Sequence, residues 1–108
     1  MNRFLPVLLA LCAGAAQAEF KDGNRWLSDY RTATGEVANA AALGYVQGVA
    51  DTTYGVIHCA PGNTTAGQLA DMTKQFLEVF PERRSHSADS VILGLLKATW
   101  PCPKRNNL

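Results

Sequence analysis

Charge is scarce in this sequence. Lys, Arg, Asp and Glu make up 18% of its 108 residues, below the usual quarter of a globular chain. Basic residues outnumber acidic ones by one, so the electrostatic footprint of a nucleic-acid binder is missing. Histidine is scarcer still, with only His58 and His86. There is no pair of closely spaced cysteines and no i, i+4 histidine pair, which excludes the common metal-site patterns. No Gly-x-Ser-x-Gly element and no activated Cys/His arrangement is present either, so the sequence offers no catalytic constellation and calls for no cofactor. Long apolar runs are also absent. The stretch Phe4 to Ala13 has ten residues, where a bilayer-spanning helix needs about 20. No segment alternates apolar and polar residues with the period of a half-buried strand. Yet 47% of the residues are hydrophobic, enough to argue against disorder.

The apolar residues are unevenly placed. Arg3, the run Phe4 to Ala13 and the small-residue site Ala16-Gln17-Ala18 read as a secretory signal cleaved after Ala18. A lipidated Cys12 is the alternative, although Leu11 stands where a lipoprotein signal carries a small residue. Removal of residues 1–18 leaves one domain, 19–108, with nine basic against nine acidic side chains and two cysteines, Cys59 and Cys102. An even count in an oxidising compartment implies a disulfide. The bridge would remove any thiolate from Cys59, which leaves the adjacent His58 as a surface or capping histidine.

The 3.6-residue period predicts four helices. Asn24 is positioned to cap the first, which presents Trp26, Leu27 and Tyr30 on one face. Thr32 to Gly35 breaks it. A long second stretch, Glu36 to His58, is apolar on nearly every side, the mark of a central buried helix. Gly44, Gly48, Asp51 and Gly55 fall on one strip of it, spaced for the close approach of another helix. A buried Asp51 would then require a partner, such as a helix terminus, an indole or an arginine, unless it contacts a ligand. Pro61 and Gly62 end this segment. Thr65 and Gln68 form a capping box for the third helix, with Leu69, Met72, Phe76, Leu77 and Phe80 as its apolar stripe. Pro81 stops that helix, and Ser87 is positioned to cap a fourth through Val91, Ile92, Leu95 and Leu96. The expected fold is therefore all-α, a small bundle of four to five helices around a long central one, stapled by Cys59–Cys102. Arg83, Arg84 and His86 make the one local basic cluster, either solvated or suited to an acidic cleft of a partner.

Several of these features occur together in one known group. Gly23-Asn24, the run Leu43-Gly44-Tyr45-Val46-Gln47-Gly48-Val49-Ala50-Asp51, Thr64-Thr65 with Gln68-Leu69, Phe80-Pro81 and the ending Trp100-Pro101-Cys102-Pro103 resemble the Rap/Tai family of type VI secretion immunity proteins. The resemblance implies a periplasmic, non-enzymatic helical protein, often a homodimer. Such a protein binds and neutralises a toxic protein effector, in the Tai branch a peptidoglycan amidase. The exposed loops, with Pro61 and Asn63 in one and Arg83, Arg84 and His86 in the other, are the expected effector contacts. Members of that family usually carry a second cysteine pair. The matching positions here are Tyr30 and Ala42, which weakens the expected docking of the first helix. A small periplasmic stress chaperone or an orphan helical binding protein is the alternative, but nine acidic residues are a modest supply for the acid-driven loosening that a chaperone needs.

Overall fold

The computed structural model describes residues 20–31 and 35–104. The leader and Cys12 lie outside the described residues, as do Thr32 to Thr34 of the first break. In the described residues four α-helices follow one another: α1 (Gly23–Arg31), α2 (Glu36–Thr53), α3 (Ala66–Val79) and α4 (Ala88–Thr99), with a 3-10 turn over Pro81–Ser85 between the last two. Among the described residues no helix is long and apolar enough to cross a membrane. Among the described residues strand-like pairing is confined to two isolated bridges, Asp22 with Ser87 and Tyr54 with His58.

The helices begin where backbone donors find acceptors. At α1 the acceptor is Asp22 and not Asn24: its Oδ1 takes the Arg25 N–H at 2.8 Å, so the helix starts two residues earlier than expected. At α3 the capping box is complete. Thr65 Oγ1 accepts from the Gln68 N–H at 3.1 Å, and Gln68 Oε1 accepts from the Thr65 N–H at 2.8 Å. Ser87 occupies the N-cap of α4 without capping through its side chain; its hydroxyl meets that of Ser90 at 2.7 Å instead. Thr65→Ala is therefore expected to cost about 1 kcal/mol in urea-melt stability while Ser87→Ala costs well under half of that. Equal losses would contradict this assignment of caps.

α2 touches each of the other three helices, but it is not buried all round. Its buried residues are Ala42, Val46 and Ala50, a single row four apart, while Val37 is 83% exposed. The small residues that admit a close neighbour are thus alanines, not the glycines. Trp26 of α1 is completely buried and its Nε1–H donates to the Ala42 carbonyl at 3.1 Å. A larger side chain at position 42, itself without exposed surface, would hold the indole away. Leu77, Ile92 and Leu96 from α3 and α4 close the core.

The docking of α1 without a second disulfide is resolved by the residues that stand in the cysteine positions. Tyr30 stacks on Trp26 with ring centroids 5.2 Å apart, and its hydroxyl donates to Asp71 of α3 at 2.6 Å. That hydrogen bond, then burial, then the charge of Asp71 push the Tyr30 phenol up to about 12. A raised value means that the bond is intact below the ordinary tyrosine range near 10 and is lost only as pH rises through about 12. Asn39 of α2 donates to the Tyr30 carbonyl at 3.0 Å, and Arg31 pairs with Glu78 of α3. Gly23 is required by contact: a Cβ there would sit 3.0 Å from the Arg84 backbone.

α2 ends five residues before the expected His58. Thr52 and Thr53 turn their hydroxyls back onto the carbonyls of Gly48 and Val49, at 2.9 and 2.7 Å, a pattern that weakens helix continuation. Gly55 then takes φ +80°, which a glycine adopts without steric cost. The chain reverses through Tyr54–His58 and enters the disulfide. Cys59 and Cys102 are joined, with Cα atoms 4.9 Å apart. Beside the bridge the Cys59 N–H donates to the Trp100 carbonyl at 2.8 Å, so the start of α3 and the end of α4 meet at one end of the molecule.

Candidate functional site

That pinned end carries a cleft of about 350 Å³. Gln47, Asp51 and Tyr54 line it from α2 and the following turn, and Pro61, Gly62 and Thr64 line it from the loop after the disulfide. Buried Ala50, His58, Ala60 and Leu69 also contribute to it. Beside it the reversing turn exposes apolar side chains, with Tyr54 61% and Val56 79% exposed. Such residues gain most from being covered by a partner.

Asp51 faces solvent at this site. Its Oδ1 accepts from Gln47 Nε2 at 2.8 Å, within the same helix, so the expected buried carboxylate with a partner on another helix is not found. Gly44 and Gly48 are exposed above it on the same strip, and a Cβ at either would meet nothing within 4 Å. Close packing within the chain therefore does not explain them. A glycine in a helix interior costs about 0.5–1 kcal/mol relative to alanine. Gly48→Ala is accordingly expected to raise stability by about that amount in denaturant unfolding, and a loss of stability would show that the position is packed after all. Tyr45, the remaining member of the strip motif, turns elsewhere. It is half-buried, Lys21 Nζ lies 5.4 Å from its ring centroid, and burial first and Asp89 second push its phenol up.

The loop residues expected to contact a partner do not form one surface. Pro61 and Asn63 lie exposed at the disulfide end. Arg83, Arg84 and His86 join α3 to α4 at the far end, beyond the 14 residues of α3, or about 21 Å of helix. Arg84 is committed to the fold, since its Nε–H donates to the Leu77 carbonyl at 2.8 Å. Arg83 and His86 border a separate cleft of about 320 Å³ with Phe76, Val91 and Leu95.

Of the two places expected for His58 the structure takes the capping one and not the surface: it is 1% exposed, with Nε2 on the Ala50 carbonyl of the last turn of α2 at 2.9 Å and Nδ1 accepting the Ala60 N–H at 3.1 Å. Tyr54 to Ile57 form an exposed turn where the apolar pattern predicts helix; Gly55 following Thr52-Thr53-Tyr54 is the sequence signal for it. Among the described residues there is no group of three or more His, Cys, Asp or Glu placed to hold a metal ion.

A small helical scaffold with one disulfide, a preformed cleft at the stapled end and exposed apolar residues beside it defines a class of protein-binding module. The comparison with family models gives that class a name: the chain matches the Rap1a immunity proteins over residues 7–102 and belongs to that family. No curated protein matches it.

Proposed function

We propose that this protein protects its producer by binding and neutralising a type VI secretion effector in the periplasm, after removal of residues 1–18. By resemblance to the Tai branch, the effector class is a peptidoglycan amidase. The protein acts by occupying the effector with a rigid surface and performs no reaction of its own. The observation that carries this reading is the open strip of Gly44, Gly48 and Asp51 running into the cleft, which packing within the chain does not account for. A partner approaching that strip closely explains both the missing side chains at Gly44 and Gly48 and the exposed Tyr54 and Val56 next to it. The covalent closure at Cys59–Cys102 orders the cleft before binding, which reduces the entropy lost on association.

Gly48→Arg tests this. Nothing in the chain lies where the new side chain begins, and arginine is a better helix former than glycine, so the variant should melt no earlier than the parent. In titration calorimetry against the amidase effector that the producer secretes, it should bind at least about 100-fold more weakly, the equivalent of about 2.7 kcal/mol. Unchanged affinity would remove the strip from the interface.

A further inference from the structure

The segment between α2 and the disulfide is held shut by one imidazole. The Ala60 N–H donates to His58 Nδ1 at 3.1 Å, which leaves the ring proton on Nε2, and Nε2–H donates to the Ala50 carbonyl at 2.9 Å. Ala50 carries one of the last four carbonyls of α2, which lack a backbone N–H partner inside the helix; besides His58 it accepts only a long contact of 3.4 Å from the Thr53 hydroxyl. The neutral ring thus ties the helix end to the chain just after Cys59. Tyr54 packs edge-on against it at 5.9 Å, and the His58 carbonyl accepts from the Gly55 N–H at 2.7 Å, so the turn closes around it.

We propose that Tyr54 to Ala60 is a proton-operated latch, closed by neutral His58 and released when the ring takes up a second proton. The geometry sets the direction. An imidazolium donates from both nitrogens, so Nδ1–H would oppose the Ala60 N–H and the bond between them is lost. The charge would also lie in a site with almost no solvent contact, where an unpaired charge is costly. The ionisable groups lining the cleft around the ring are Asp51 from α2 and Tyr54 from the turn; Gly62, Thr64 and Leu69, from the loop and from α3, carry no charge. Asp51 is exposed and its carboxylate accepts from Gln47, not from the ring. A second proton on the ring is therefore incompatible with the closed bonding pattern. Release stays local because the disulfide and the Cys59 N–H bond to Trp100 hold the chain immediately beyond. In the open form the wall of the cleft and the apolar turn lose their fixed arrangement. This latch is a property of the chain alone and stands apart from the effector reading.

Backbone amide exchange on the mature, disulfide-intact protein tests it, at about pH 7.5 and about pH 5.5, across the range in which imidazole changes charge. After correction for intrinsic exchange, protection of the Ala60 amide should fall by about tenfold or more while that of Leu77, in the core of α3, changes by less than about twofold. His58→Gln keeps an N–H donor but has no titrating acceptor, and it should show the same ratio of Ala60 to Leu77 protection at both pH values. Should that variant not fold, the ring nitrogen spectrum of the parent decides, since protonation of His58 must coincide with the loss at Ala60. Equal losses at Ala60 and Leu77, or a protonated ring with Ala60 still protected, would overturn the proposal.

Discussion

Replacing Cys59 and Cys102 together by serine is expected to lower the unfolding free energy by roughly 4 kcal/mol in the chain-entropy description of a loop of this length. The two residues are 43 apart in sequence, and the closed loop contains the whole of α3 and α4. Without the bridge the unfolded chain regains that freedom. A domain of this size has a total stability of about 5–15 kcal/mol, so the loss removes a large share of it. The effect is concentrated at the cleft end, where Cys59 also donates to Trp100. Urea melts of the parent with and without reductant should reproduce the difference, and reductant should leave the double variant unchanged. A double variant as stable as the parent would mean that helix packing alone holds the two ends together.

Trp26→Ala is the second large effect, expected at about 3–5 kcal/mol. The indole has no exposed surface and lies in the core with Leu27, Ala42 and Val46. Its loss leaves a void where α1 meets α2, removes the stacking partner of Tyr30 and leaves the Ala42 carbonyl without its donor. Trp26→Phe separates these contributions. It retains most of the apolar volume but not the N–H, and should cost about 1–3 kcal/mol, the range for a buried acceptor left unmade. If the phenylalanine variant matched the parent, the hydrogen bond to Ala42 would have no part in docking α1. Tyr30→Phe, which loses only the exposed bond to Asp71, should cost less than either.

The helices and the disulfide were legible in the sequence because local signals and burial agree there. The Thr65–Gln68 capping box, Pro81 and the Val91–Ile92–Leu96 stripe each give the same answer at both levels. α2 was harder. Its composition is apolar in every direction, yet alanine and glycine contribute little burial, and only the Ala42, Val46, Ala50 row reaches the core. Periodicity cannot tell a glycine strip that admits a helix from one left open to solvent, so the pattern puts Asp51 inside while the structure exposes it. The burial of His58 is hidden from the sequence for a related reason. Its burial follows from the chain reversing at Gly55, whose φ of +80° is set by the turn that leads to the disulfide and not by a helical period. The two loops lie at opposite ends because the 14 residues of α3 run between them, a separation already implied by the capping box at Thr65 and the stop at Pro81.

The central claim is that the chain neutralises an effector outside the cytoplasm, and competition between the producer and a strain lacking this gene tests it most directly. The deletion strain should lose viability beside a parent with an active type VI apparatus and survive beside one without it. Expression of the full 108-residue chain should restore survival. The chain lacking residues 1–18, and the full chain carrying Gly48→Arg, should not. A deletion strain that survives its parent undiminished, or that the leaderless chain rescues fully, would contradict the account.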